Sequence, residues 1–248
     1  MSVAVEPVHY PESDGKPMAE TGVHRDEMVY FIEALRQHYR EQEVYVSGNL
    51  LLYYVEGDPT RCVSPDCLVA FGRPPGQRRI YKTWEEGKVP DVVIEVTSSS
   101  TKREDQNTGR NLYARLGVRE LWLVDPLGDY LRAPFRRYRL QEGSWIEISV
   151  ENGRARSPLL GLELRATEHA VRLFDPATGE LLPTPQELAE RLLDTARELK
   201  DTTRELQDTS RALEVAAREL RLESDENERL RAEVERLQAA LKRQHPSD

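Results

Sequence analysis

The feature that most constrains this chain lies toward its C-terminus, where leucine recurs every seventh residue. Leu192, Leu199, Leu206, Leu213 and Leu220 keep the interval without a miss, and the count runs on through Asn227, Val234 and Leu241. A strand alternates with period two and has no use for such spacing, whereas a helix gathers these positions along one stripe. The pattern predicts a long helix over 185–248 that supercoils left-handedly with a partner helix. With the leucines at a, the d positions are Thr195, Thr202, Thr209, Ala216, Glu223, Leu230 and Leu237. That seam is poor as far as Glu223 and good beyond it. Asn227 at a is a device that fixes register and favours two parallel strands, and Glu226 at g would face Arg231 at e of a second copy. The expectation is self-association through a parallel coiled coil. The competing expectation is a single amphipathic helix folded back on the preceding domain, or a partly disordered one.

The remaining 1–184 form a segment long enough for a proper core. Over the whole chain, 38% hydrophobic and 32% charged residues are polar for one globule, as a solvated tail requires. The net charge is −9, and from Pro185 onward 12 basic residues face 16 acidic ones. Neither part is a basic arm, so a nucleic-acid partner would need a local basic patch rather than bulk attraction. Cys62 and Cys67 are too few for a disulfide framework and lack the second half of a zinc site. The N-terminus has no basic region followed by an apolar core, and no run reaches the roughly 20 apolar residues that span a bilayer. The expectation is a cytoplasmic protein without a membrane partner. Nucleotide-binding glycine loops of the GxxxxGK[ST] or GxGxxG type are absent from the sequence.

Within 1–184, Met28, Phe31, Ile32 and Leu35 at helical spacing predict an amphipathic helix over 24–40. EVYVSGNLLLYYV (43–55) reads as a hairpin or a bulged strand broken at Gly48-Asn49. SPDCLVAFG (64–72) and PDVVIEVTS (90–98) read as strands, with a polar connection over 73–88. Leu112, Tyr113 and Leu116 mark one face of a helix over 102–116, and Gly117 supplies its stop. RELWLVDP (119–126) is the next strand, and FRRYRL, SWIEISV and LLGLELR read as antiparallel strands. LFDPATGELLPTP (173–185) reads as a terminal strand and linker. The order predicts an α/β or α+β domain with a mixed sheet.

Glu95 interrupts a Val/Ile-rich strand, where an ionised group is costly to desolvate unless something pairs with it. Residues 91, 93, 95 and 97 share a strand face, so Glu95 and Thr97 point the same way with Asp91 at the mouth. The preceding strand also opens on Pro-Asp, at Asp66. Two neighbouring strands that each bring a carboxylate are candidates to clamp a hard cation such as Mg²⁺. The competing reading is turn chemistry, since Asp after Pro caps its own backbone.

YPESDGK, His24, SPDCLVAFG, PDVVIEVTSSST, LYARLGVRELWLVDP and LFDPATGE, in this order and spacing, resemble the bacterial putative restriction endonuclease family of the PD-(D/E)XK nuclease superfamily. The resemblance spans about residues 10–183. It implies a restriction-endonuclease-like core, Mg²⁺ (or Mn²⁺) as cofactor and DNA as substrate. It assigns the metal ligands to Asp66 and Glu95, with Asp91 as a further contributor and Glu20 as a weaker one. The superfamily lysine would stand two residues after Glu95, where this chain has Thr97. In the family it is often displaced, to positions that are Ser99 and Gly109 here. Lys102 is the candidate substitute in the catalytic set, and Thr97, Arg103 and Arg110 are candidate phosphate contacts. Arginine stays protonated and cannot act as a general base. Arg73, Arg78, Arg79, Lys82, Arg136, Arg137 and Arg139 are further candidates for backbone phosphates. The expected function is a metal-dependent DNA endonuclease dimerised by its tail. The alternative is a catalytically impaired nuclease fold that serves as a scaffold.

Overall fold

The computed structural model describes residues 8–13, 15, 21–97, 103–168 and 170–244. The chain divides into two units, Met1–Glu187 and Leu188–Asp248. In order, its elements are α1 (Gly22–His38), β1 (Val44–Ser47), β2 (Leu52–Tyr53), β3 (Cys62–Val63), β4 (Cys67–Phe71), β5 (Tyr81–Lys82), α2 (Thr83–Glu86), β6 (Val92–Val96) and α3 (Arg103–Leu116). There follow β7 (Glu120–Val124), β8 (Phe135–Gln141), β9 (Ser144–Ile148), β10 (Arg154–Ser157), β11 (Leu162–Ala166), β12 (Val171–Asp175), β13 (Glu180–Leu181) and α4 (Pro185–Gln244).

The central sheet has the order β1-β4-β6-β7-β8-β9. Within it β6 and β7 run parallel and every other pair is antiparallel, which makes the sheet mixed as the sequence predicts. The parallel pair requires a crossover, and α3 is the helix on that path. Alternation along β6 sends Val92, Ile94 and Val96 into one core with Phe31 and Leu35 of α1. That core extends to Leu162, Leu164 and Leu173 of a second sheet, β10-β11-β12-β13. Val93 points the other way, into a core with Tyr113 of α3, Leu121, Leu123 and Tyr138. Both faces of β6 are thus covered, which explains its nearly unbroken Val/Ile composition.

Several expected elements differ. Residues 43–55 form neither a hairpin nor a bulged strand: β1 joins the central sheet, while β2 joins a small sheet ordered β3-β2-β5. Gly48 and Asn49, the latter at φ 50°, turn the chain between them. The polar connection 73–88 contains β5 and the single turn α2. The segment after Leu173 is a hairpin, with β13 paired on β12, rather than strand and linker.

α4 starts with a reciprocal cap. Glu187 N donates to Thr184 Oγ1 at 3.1 Å and Thr184 N donates to Glu187 Oε2 at 2.8 Å, with Pro185 at the first helical position. In the second unit, the heptad leucines from Leu192 to Leu220 are 63–68% exposed in the single chain. The threonines at d bond back to their own helix: Thr195, Thr202 and Thr209 donate to the carbonyls of Arg191, Glu198 and Glu205. Their hydroxyls are thereby satisfied, and their methyls are what remains for the seam.

Candidate active site

The two acidic strands are neighbours, and their direction decides which carboxylates meet. β4 and β6 are antiparallel with Cys67 opposite Ile94 and Val69 opposite Val92. One step outward along this register, Asp66 faces Glu95. The two residues clamp each other through the backbone: Val96 N donates to Asp66 Oδ2 at 2.7 Å, and Asp66 N donates to Glu95 Oε2 at 3.2 Å.

Three groups that the sequence reading did not place in the site complete it. Gly48 lies so close to the Asp66 backbone that a Cβ there would stand 1.9 Å from the Asp66 carbonyl oxygen. Asn49 N donates to Pro65 O at 2.8 Å, so the turn after β1 props up the Pro-Asp corner. His24, buried in the first turn of α1, brings Nε2 to 3.2 Å from Asp66 Oδ2. Thr21 caps that turn by accepting the His24 N–H at 3.2 Å. Tyr113, from α3, donates its hydroxyl to Glu95 Oε1 at 2.5 Å. The interruption of an apolar run by Gly48-Asn49 is a signal for the first; His24 and Tyr113 stand out in the sequence as parts of the blocks that carry the family resemblance, which gave neither of them a place at the site.

Glu95 keeps some solvent exposure as a residue, yet protein encloses its carboxyl. Burial pushes that carboxyl well above the usual carboxylate range, and the negative charge of Asp66 adds to the effect. The hydrogen bonds from Tyr113 and from the Asp66 backbone pull in the opposite direction. Burial likewise lifts the Tyr113 phenol, with the Glu95 charge next in weight. Thr97 is buried, and its hydroxyl donates to Val124 O at 3.1 Å. A cavity of about 30 Å³ opens beside it, lined by Thr21, His24, Thr97, Asp125, Pro126 and Tyr130 among others. Asp125 shapes that wall by accepting the backbone N–H groups of Asp129, Tyr130 and Leu131.

Asp91 is not brought to this place. The antiparallel pairing carries it to the opposite end of β6, about 13 Å away by strand rise. Its buried carboxylate accepts from Phe71 N at 2.8 Å and Lys88 Nζ at 2.6 Å, with Arg119 Nη1 at 3.5 Å. Lys102 and Glu20 lie outside the described residues. Arg103 opens α3, but its side chain also lies outside them. Arg110 stacks its guanidinium over the Tyr138 ring at 4.2 Å, and its carbonyl accepts from Trp145 Nε1 at 2.7 Å. Most of the other arginine candidates are engaged within the protein. Arg78 holds Glu86, Arg79 holds Glu12, Arg136 holds Glu147, and Arg137 is buried against Glu120 at 2.6 Å. Lys82 pairs with Glu85 at 2.8 Å.

Among the described residues, no three His, Cys, Asp or Glu side chains converge as a ready-made metal cage. The Asp66–Glu95 pair still suits Mg²⁺ or Mn²⁺. Such ions take hard oxygen donors and are commonly held by one or two carboxylates with the rest of the shell in water. Each carboxylate oxygen has two lone pairs, so those that accept one hydrogen bond retain a donor site.

The mixed sheet has α1 packed on one face and α3 on the other, and it carries Asp66 and Glu95 at the ends of neighbouring strands. The Uma2 family, described as "Putative restriction endonuclease", matches residues 6–171, and the chain belongs to that family. Among solved structures, the chain is similar to a "putative nuclease belonging to DUF820" from Anabaena variabilis ATCC 29413. The two share 16% identity over 60% of this chain and 81% of that one, with a TM-score of 0.43. No curated protein matches the chain. Among the described residues, no helix is long and apolar enough to cross a membrane.

Proposed function

We propose that residues 1–184 are a metal-dependent nuclease domain that hydrolyses phosphodiester bonds in DNA, with Mg²⁺ or Mn²⁺ held by Asp66 and Glu95. The observation that carries this reading is the pairing of these two carboxylates across adjacent strand ends. Glu95 is enclosed by protein and faces a second negative charge, an arrangement that a cation relieves. A bound ion would polarise the phosphoryl oxygen and lower the pKa of an attacking water. The chain's own groups hold and orient the carboxylates. On this reading Arg110 of α3 reaches a phosphate by leaving the Tyr138 ring, and Thr97 donates to one after releasing Val124 O.

A second reading has its own support. Thr97 stands where the superfamily places a lysine, and Gly109, one turn before Tyr113 on α3, offers no side chain at all. On that reading the domain is a catalytically impaired scaffold. Purified full-length protein is to be tested for nicking of plasmid and single-stranded DNA with Mg²⁺ or Mn²⁺. Cleavage by the wild type that Glu95→Ala abolishes supports the enzyme. A silent wild type sinks the enzyme reading, and a gain of cleavage in Gly109→Lys would then identify the missing group. A Cβ at 109 meets nothing within 4 Å, so the substitution has room.

The tail, residues 185–248, serves on this proposal to join two copies as a parallel coiled coil, burying the leucines that a single chain leaves exposed. A chain ending at Glu190 retains the Thr184–Glu187 cap and is expected to be a monomer in light scattering where the full chain is a dimer. A truncated chain that remains a dimer, at twice its own shortened mass, rules the tail out as the dimerising element.

A further inference from the structure

We propose that Tyr113 is the positioning residue of the metal site: its hydroxyl fixes the carboxylate of Glu95 in the orientation that binds the ion. The proposal rests on Asp66 and Glu95 being the metal ligands. The ring of Tyr113 packs with Val93, Leu121 and Leu123, a role that phenylalanine would fill equally well. A buried hydroxyl must be satisfied to avoid a desolvation cost, and this one is satisfied by Glu95 Oε1 at 2.5 Å. Charge-assisted bonds of this kind are short and directional. The bond that Asp66 N donates to the other oxygen, Oε2, is longer at 3.2 Å.

The backbone of Tyr113 is itself well anchored. Its carbonyl accepts from Gly117 N at 3.1 Å and Val118 N at 3.0 Å, the bonds that close the helix C-terminus. Gly117, at φ 90°, makes that closure possible. The hydroxyl is therefore delivered from a fixed point on α3 to the middle of the site, 18 residues after Glu95 in sequence. Partners that orient a metal ligand are commonly worth ten- to a hundredfold in metal affinity.

The test is Mn²⁺ binding by the full-length protein, read by electron paramagnetic resonance, with melting followed by circular dichroism. Tyr113→Phe keeps the ring and removes the hydroxyl, and its Mn²⁺ affinity is expected to fall about tenfold with the fold retained. Leu112→Ala loosens the same helix and leaves the hydroxyl in place, so it is expected to bind Mn²⁺ as the wild type does. Wild-type affinity in Tyr113→Phe, together with binding that Glu95→Ala abolishes, overturns the positioning role and leaves the metal site standing. An equal loss in Leu112→Ala also overturns it, reducing Tyr113 to a packing residue. Absence of Glu95-dependent binding in the wild type sinks both this proposal and the reading of the site.

Discussion

The two ends of β6 carry the same kind of group in opposite circumstances. Asp91, at the start, has a lysine, an arginine and a backbone N–H around its carboxylate. Glu95, near the end, has a phenol, a backbone N–H and a second carboxylate. The first arrangement is what a chain builds to stabilise a fold, since a buried charge is tolerated when it is paired and hydrogen-bonded. The second is what stability alone would remove. On the proposed function, the end left unresolved is the one that receives a cation.

This contrast breaks most visibly if Asp91 proves dispensable. Asp91→Ala leaves Lys88 without its partner, removes the acceptor of Phe71 N and opens space at the β4–β6 pairing. Removing one member of a buried pair costs about 3 to 5 kcal/mol. Because Lys88 keeps some exposure, the lower part of that range is expected. Urea unfolding with an unchanged m-value measures it. A loss below about 1 kcal/mol would mean that the pairing at this end is ornamental, and the comparison fails.

The sequence made the contrast only half legible. Asp66 and Glu95 stand out as carboxylates in strand motifs, and the resemblance to the nuclease family names them. Asp91 stands out equally, because PDVVIEV says nothing about which way its neighbour runs. A parallel neighbour would have set the two Pro-Asp corners together. The antiparallel pairing of β4 with β6 sets Asp66 beside Glu95 and sends Asp91 away. Tyr113 reads as one more apolar mark on a helix face, and only packing shows that its hydroxyl ends at Glu95. Gly48 reads as a strand break, although it is the close approach to Asp66 that requires it. The α4 period is legible without any of this, because a heptad repeat is local. The missing lysine is legible as well, since the identities of positions 97, 99 and 109 are matters of sequence alone.

A third buried carboxylate lies between the two extremes. Glu27 of α1 accepts from Val171 N at 3.2 Å through Oε1, while its buried Oε2 has no hydrogen-bond partner among the described residues. Burial pushes its pKa up to about 7, against the opposing pull of the Val171 N–H and the Arg172 charge. A carboxyl raised in the folded state favours folding when protonated. Its contribution is therefore fully present below about pH 4.5, its value when unfolded, and is lost as pH rises through about 7. Between pH 5 and pH 8 the loss amounts to about 2 to 3 kcal/mol. Glu27→Gln cannot ionise, and the fall in stability over that interval is expected to shrink by this amount. An identical pH profile in wild type and variant would show that Glu27 is relieved by Arg172, as Asp91 is by Lys88.

The smallest expected effect has the opposite sign, and it sharpens the comparison most. Glu95→Gln removes a carboxylate that faces Asp66, while the amide oxygen still accepts from Asp66 N and the amide N–H₂ turns toward the Tyr113 oxygen. Relief of a functional-site charge of this kind commonly raises stability by about 1 to 2 kcal/mol. Since the folded-state pKa of Glu95 is raised, its cost is felt above the unfolded carboxylate range and vanishes in acid. The gain in Glu95→Gln is therefore expected at pH 8, without added metal, and is expected to disappear near pH 4. Divalent metal narrows the gap from the other side, because an ion bound to the wild type stabilises it by mass action and the variant, lacking the ligand, gains less. Melting both proteins at the two pH values, with and without Mn²⁺, checks each step. A destabilised Glu95→Gln at pH 8 would place Glu95 with Asp91 among the groups that hold the fold together, and the two ends of β6 would no longer differ.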